Sequence, residues 1–240
     1  MNDATIFLVE PGEPEASISQ GFANPLDLFN YLSPSAWINS AIADLTGTDV
    51  FGWMTDWIGG DWAAMWKFGD ALGHLAECLQ QIGINIQAGV IALDASWDGN
   101  ANDAAYRYFS HLASSVSGQQ YALTDLRDRY HKAATGAWQM SNQLGNILQA
   151  LADKAILAGI AAAAGTITAE TGIGALAGYG TAALIVTDML KLINQASIII
   201  NTAGTAILSF FGIAIDLIYQ GGGGLGSIPL PAVSYTPPAA

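Results

Sequence analysis

The chain has 240 residues, enough to bury a core as one domain or two. It is 52% hydrophobic and only 11% charged, and 7 Lys+Arg against 20 Asp+Glu give a net charge of −13. Attraction to phosphate backbones or anionic lipid by charge is thereby excluded, and nucleic-acid function with it.

Residues 1–24 carry Glu10, Pro11, Glu13, Pro14 and Glu15 and are expected as a flexible acidic arm. The start lacks a basic n-region, and the apolar run Ile6 to Val9 is too short for an h-region, so no signal peptide is expected. Residues 25–60 read as short amphipathic helices, "PLDLFNYL", "SPSAWINSAIADLTG" and "DVFGWMTDWIGG", with Ser33-Pro34 and Gly59-Gly60 as boundaries.

Asp61 stands where an N-cap would, and from Trp62 an apolar stripe recurs at steps of three and four to Trp97. Gly69, Gly73 and Gly83 lie on this stripe, and small residues there permit close approach of another helix. Cys78, the single cysteine, falls in the same pattern and is expected as a buried small hydrophobe. A second stripe runs from Ala101 to Leu151, with Gly118 as a point of weakness. Helices of about 35 and about 50 residues would span roughly 50 and 75 Å. The expected fold is therefore all-α, with a long antiparallel helical hairpin over residues 61–152. Asp98-Gly99-Asn100 makes the turn: Gly99 takes a left-handed φ without steric penalty, and Asn100 or Asn102 can cap the new helix.

A tryptophan at the end of the first helix can staple the hairpin end. Trp97-Asp98-Gly99, placed between two long stripes, also resembles the Trp-x-Gly motif of the WXG family, the substrates of type VII (Esx) secretion systems. In layout the chain is most similar to secretion-associated proteins of the EspA/EspE type, which follow such a hairpin with an apolar Gly/Ala-rich region and a low-complexity tail. The resemblance covers roughly 61–152 by motif and the remainder by layout. It implies an export role for Trp97 and Gly99, a secretion ATPase that reads them, and a location outside the cell or on its surface. It also implies assembly as a homo-oligomer or with a small WXG-type partner. The family carries a Tyr-x-x-x-Asp/Glu export signal, and the one match is Tyr121 with Asp125. That match lies closer to the elbow than is usual, and the residues read equally as a surface tyrosine and an aspartate paired with Arg129 at i+4.

Residues 153–219 form an apolar helical region of three segments, the middle one broken by glycines. Between Leu192 and Ile215 about 24 residues carry no charge, enough to cross a bilayer core. Three readings stand open: the core of an oligomer, a segment that enters a membrane after export, and a constitutive transmembrane domain. Ile198, Phe210, Phe211 and Asp216 mark the membrane segment under the second. Residues 220–240 are Gly- then Pro-rich and are expected to have no stable fold.

No catalytic, cofactor-binding or metal constellation is expected. His74 and Glu77 stand at i, i+3 without a third ligand nearby, and "GYGTAAL" lacks the lysine of a phosphate loop. The group Trp53, Trp57, Trp62 and Trp66, with Asp56 and Asp61 beside it, reads as a partner-binding surface or as the packed end of a hairpin. The expectation is a non-enzymatic type VII substrate acting by helical self- or hetero-assembly. A membrane-inserting or pore-forming effector using 155–219 is the alternative, and an unrelated integral membrane protein a further one.

Overall fold

The computed structural model describes residues 1–14, 22, 40, 42–44, 47, 49, 52–54, 59–167 and 173–219, and within these the side chains of all but 163–167, 173–177, 211, 214 and 216–219. The protein is all-α, and among the described residues there is no strand. A 3-10 turn at Ala4–Phe7 precedes three long helices: α1 (Trp62–Asp94), α2 (Asn100–Ile167) and α3 (Ile173–Tyr219).

α1 begins directly after Gly59-Gly60-Asp61, where the sequence places its start. At its far end the helix tightens: Ser96 donates through both its N–H (3.0 Å) and its hydroxyl (3.2 Å) to the Leu93 carbonyl. Gly99 then adopts φ 104°, which a side chain would resist. Asn102 does not cap α2. Its side chain donates to Asp94 at 2.7 Å and so ties the last residue of α1 to the first turn of α2.

The composition boundary at 152/153 is no break in the backbone. α2 is 68 residues long, passes through Gly118 and continues to Ile167. The second and third apolar segments likewise belong to one 47-residue helix, α3, which runs through Gly178, Gly180, Gly204 and Gly212. The tail 220–240 and most of 25–60 lie outside the described residues.

The chain forms two compact units, divided within α2 after Ala134 and within α3 after Ala206. Unit one holds the described residues of 1–14, 63–134 and 207–219. Here α1 and α2 meet at the glycine stripe. A Cβ on Gly83 would stand 2.7 Å from the Ala113 carbonyl oxygen, and one on Gly69 would stand 2.8 Å from the His131 ring. Gly73 faces Arg127 in the same way. Numbering falls along α2 as it rises along α1, so the two segments run antiparallel. Residues 1–14, expected as a loose arm, lie along α1 in this unit, with Asn2 on Asn85 and Gly12 on Asp70.

Unit two holds the described residues of 22–62 and 135–206. Its core joins Leu144, Leu148, Leu151 and Ala155 of α2 to Met189, Ala196 and Ile200 of α3, with Ile42 and Met54 completing it. The helical spacing of these residues sets one face of each helix against the other. Each fully buried aliphatic side chain contributes about 1.5–3 kcal/mol. At the edge of this core Lys154 bonds Asp188 at 3.3 Å, and Lys191 bonds it from within α3 at 2.9 Å.

Candidate functional site

The residues singled out in the sequence are dispersed. Trp97 is 37% exposed beside the turn at Gly99. Tyr121 is 71% exposed on α2, and Asp125 accepts from Arg129 at 2.8 Å, the surface arrangement that the i+4 spacing suggests. Trp53 is half-buried against the core of unit two. Trp62 belongs to the same unit, and its ring stands against Gly60. Trp66 belongs to unit one, where its indole stacks on the His131 imidazole with centroids 3.8 Å apart and planes 5° from parallel. Trp57 lies outside the described residues.

Burial holds the His131 imidazole below its ordinary range, and the Asp70 carboxylate works against that shift. His74 does not join Glu77. Its Nδ1 meets the Val9 carbonyl at 3.1 Å and its Nε2 lies 3.8 Å from Asp70. Among the described residues no group of His, Cys, Asp or Glu is arranged to hold a metal ion.

The surface that stands out is the outward face of α3. Met189, Ala196, Ile200 and Ala203 are buried, which fixes the inward face at steps of three, four and seven. Tyr179, Leu184, Leu190 and Ile198 fall outside it and are exposed, Leu184 to 71%. Further along the helix, in unit one, Leu208 is 73% exposed, and Ile207, Ile213 and Ile215 are exposed as well. Phe210 instead packs edge-on against Tyr130 at 5.1 Å. The side chains of Phe211 and Asp216 lie outside the described residues. Among the described residues two helical stretches, 100–162 in α2 and 178–210 in α3, are long and apolar enough to cross a membrane, and only 17% of the apolar window in the latter is buried.

Three hydroxyls on this face bond back into the helix, beside the exposed Lys191, Asn194 and Asn201. The hydroxyls of Thr187, Thr202 and Thr205 donate to the carbonyls of Ala183, Ile198 and Asn201, one turn back in the same helix, at 2.8–3.0 Å. The donor of each hydroxyl is thus satisfied within the helix. Two shallow hollows flank the helix within unit two. One, of about 460 Å³, is lined by Trp53, Leu190, Ile193, Asn194 and Ser197. The other, of about 420 Å³, is lined by Gln143, Asn146, Ile147 and three α3 residues that include Ile198. Neither lining carries a charged side chain, and Ser197 is the one hydroxyl, with no histidine or carboxylate in the lining beside it.

Sequence reasoning marked Ile198 on this face and missed Leu184, Leu190 and the threonines. The sequence held no signal for them, because the inward side is set by Met189 and Ala196 packing in the core with α2. The chain has no significant match among protein-family models, curated proteins or solved structures.

Proposed function

We propose that this chain is a non-enzymatic assembly protein of the type VII secretion-substrate kind, working through helix-to-helix association with copies of itself or with a small Trp-x-Gly partner. The observation that supports it is the exposure of Leu184, Leu190 and Ile198 on the outward face of α3, where Lys191, paired with Asp188, is the charge between Leu184 and Ile198. Each 100 Å² of apolar surface left wet costs about 2.5 kcal/mol, and burial against another helix removes that cost. In this reading α1 and α2 are the arms of a helical hairpin, and Trp97-Asp98-Gly99 is its elbow and the element a secretion ATPase engages. Tyr121 and Asp125 are the accompanying export signal, with Tyr121 exposed for recognition.

Sedimentation or light scattering tests the assembly. The expected result is an oligomer at micromolar concentration that Leu184→Glu with Ile198→Glu dissociates. A monomer in the unaltered protein, without detergent, would overturn it. Export is tested by comparing culture filtrates of strains with and without the secretion ATPase. Trp97→Ala should abolish release while the protein stays folded in the cell, and unchanged release would remove the elbow from the mechanism.

A second reading is favoured by the back-bonded threonines and the uncharged run from Leu192 to Ile215. Under it, α3 enters a lipid bilayer, where backbone and hydroxyl groups must be satisfied within the helix. Co-flotation with neutral-lipid vesicles separates the two readings: recovery with the vesicles supports insertion, and recovery as a soluble oligomer supports assembly.

A further inference from the structure

The N-terminal segment makes contacts in unit one that neither the helix packing nor the proposed assembly uses. It lies antiparallel to α1. Asn85 accepts from the Asn2 N–H at 3.2 Å and donates to the Asn2 carbonyl at 2.7 Å, so it reads both main-chain groups of one residue. Gln81 steadies the Asn85 amide at 3.1 Å. Further along, His74 contacts the Val9 carbonyl, Asp70 accepts from the Gly12 N–H at 2.6 Å, and Lys67 pairs with Glu13. Three of these four anchors recognise backbone rather than side chain, the mode by which extended peptides are held on a folded surface.

The segment has an inner and an outer side. Ala4, Phe7 and Pro11 are half-buried and Pro14 is buried, whereas Ile6, Leu8 and Val9 face water. Asp3 shapes the turn between the anchors, accepting from the Thr5 N–H at 2.9 Å and from its hydroxyl at 2.7 Å.

Cys78 lies on the same stripe of α1. It follows Asp70 and His74 at successive steps of four, which stack on one helix face, and it precedes Asn85 by seven. It is 5% exposed. The two anchors that bracket it hold Asn2 and Val9, so the stretch of the segment between them, Asp3 to Leu8, passes over its position.

We infer that α1 carries a backbone-reading surface that holds residues 1–14 as a releasable strap over Cys78, and that undocking uncovers both the thiol and the surface. Every anchor is open to water, where single hydrogen bonds and ion pairs are weak. Release of the strap is therefore an opening distinct from unfolding of the helices.

The test is the rate at which 5,5′-dithiobis(2-nitrobenzoate) modifies Cys78 in the full chain, with helix content followed by far-UV circular dichroism. The unaltered protein should react slowly. Asp70→Ala with Asn85→Ala should raise the rate by roughly ten-fold at unchanged helix content. Gly12→Pro removes the N–H that Asp70 accepts and lies outside every helix, so it should act in the same direction without touching α1. A synthetic peptide of residues 1–14, added in excess, should slow the reaction of Gly12→Pro again, and should not slow that of Asp70→Ala with Asn85→Ala, which lacks the anchors. An unchanged rate in Gly12→Pro, an acceleration accompanied by loss of helix, or a peptide without effect on Gly12→Pro would each overturn the strap.

Discussion

In unit one the facing positions of the two helices are Gly69, Gly73 and Gly83, and what they meet includes backbone, the Ala113 carbonyl above all. In unit two they are Leu144, Leu148, Leu151, Met189 and Ile200, and what they meet is other side chains. The first pair gains its stability from how closely two backbones approach, the second from how completely a volume is filled. Mutations of opposite kinds should therefore damage the two units. Enlarging a residue is the hazard in one, and shrinking a residue is the hazard in the other.

Four measurements would break or sharpen that contrast. The largest effect is expected from Leu148→Ala, which empties a fully buried position of unit two; chemical denaturation should show a loss of about 2–5 kcal/mol. A loss under about 1 kcal/mol would mean that the core collapses around the gap and is not closely filled. Next is Gly83→Ala. Helix propensity alone favours the substitution by about 1 kcal/mol, but the new Cβ would stand 2.7 Å from a carbonyl oxygen and 3.0 Å from the Ser117 nitrogen. Backbone atoms on both sides leave no flexible group to yield, so overpacking should win, with a net loss of about 1–3 kcal/mol. A gain in stability would refute the close-approach account.

Gly136→Ala inverts the sign. A Cβ there meets nothing within 4 Å, so propensity acts unopposed and the variant should gain about 0.5–1 kcal/mol, read as a raised melting temperature. The smallest effect concerns pH. The His131 imidazole is held below its ordinary value of 6.5, first by burial. The Arg127 charge lowers it too, while Asp70, the Trp66 backbone and Asp128 raise it. The neutral ring is therefore favoured in the folded protein. As pH falls through about 6.5 the unfolded chain takes up its proton first, and stability declines until the folded ring is protonated as well. Thermal melts between pH 8 and pH 5 should show this decline in the unaltered protein and less of it in His131→Gln. Identical profiles would show that burial at the Trp66 stack does not govern the titration.

The parts of the fold written in local chemistry were legible in the sequence. The start of α1 after Asp61, the left-handed Gly99 and the glycines of the α1 stripe all follow from spacing and backbone freedom. The length of α2 was not, because the change of texture near 152 alters hydrophobicity without supplying a breaker: Asp153 and Lys154 are ordinary helix residues, and no glycine or proline adjoins them. The continuity of α3 was hidden for the opposite reason. Gly178, Gly180, Gly204 and Gly212 look like breaks, yet one glycine costs only about 1 kcal/mol of propensity, which packing elsewhere on the helix outweighs. The docked N-terminal segment left no trace, since its anchors join residues far apart in the chain through main-chain groups that every residue possesses. Of the candidate surface, Ile198 was named because the run around it is apolar, but which side faces outward depends on Met189 and Ala196 meeting α2, a tertiary fact.

The core of unit two has a further consequence in time. Ile42 and Met54 share one cluster with Met189 and Ile200, although more than half the chain separates them. Gly83 and Ser117, in contrast, stand within one helix–turn–helix stretch of sequence. Contacts between distant positions form slowly because a long loop must close first. On a ribosome, Ile42 and Met54 would emerge and wait for α3, and during that interval the apolar side of α2 from Leu144 to Leu151 would lack its partner helix. We expect the paired helices of unit one to order first and the second core to close last, leaving a window in which a chaperone has a defined apolar stripe to hold. Pulse-labelled hydrogen exchange during refolding would show it as early protection of 83–117 ahead of 144–200, and simultaneous protection of both would contradict it.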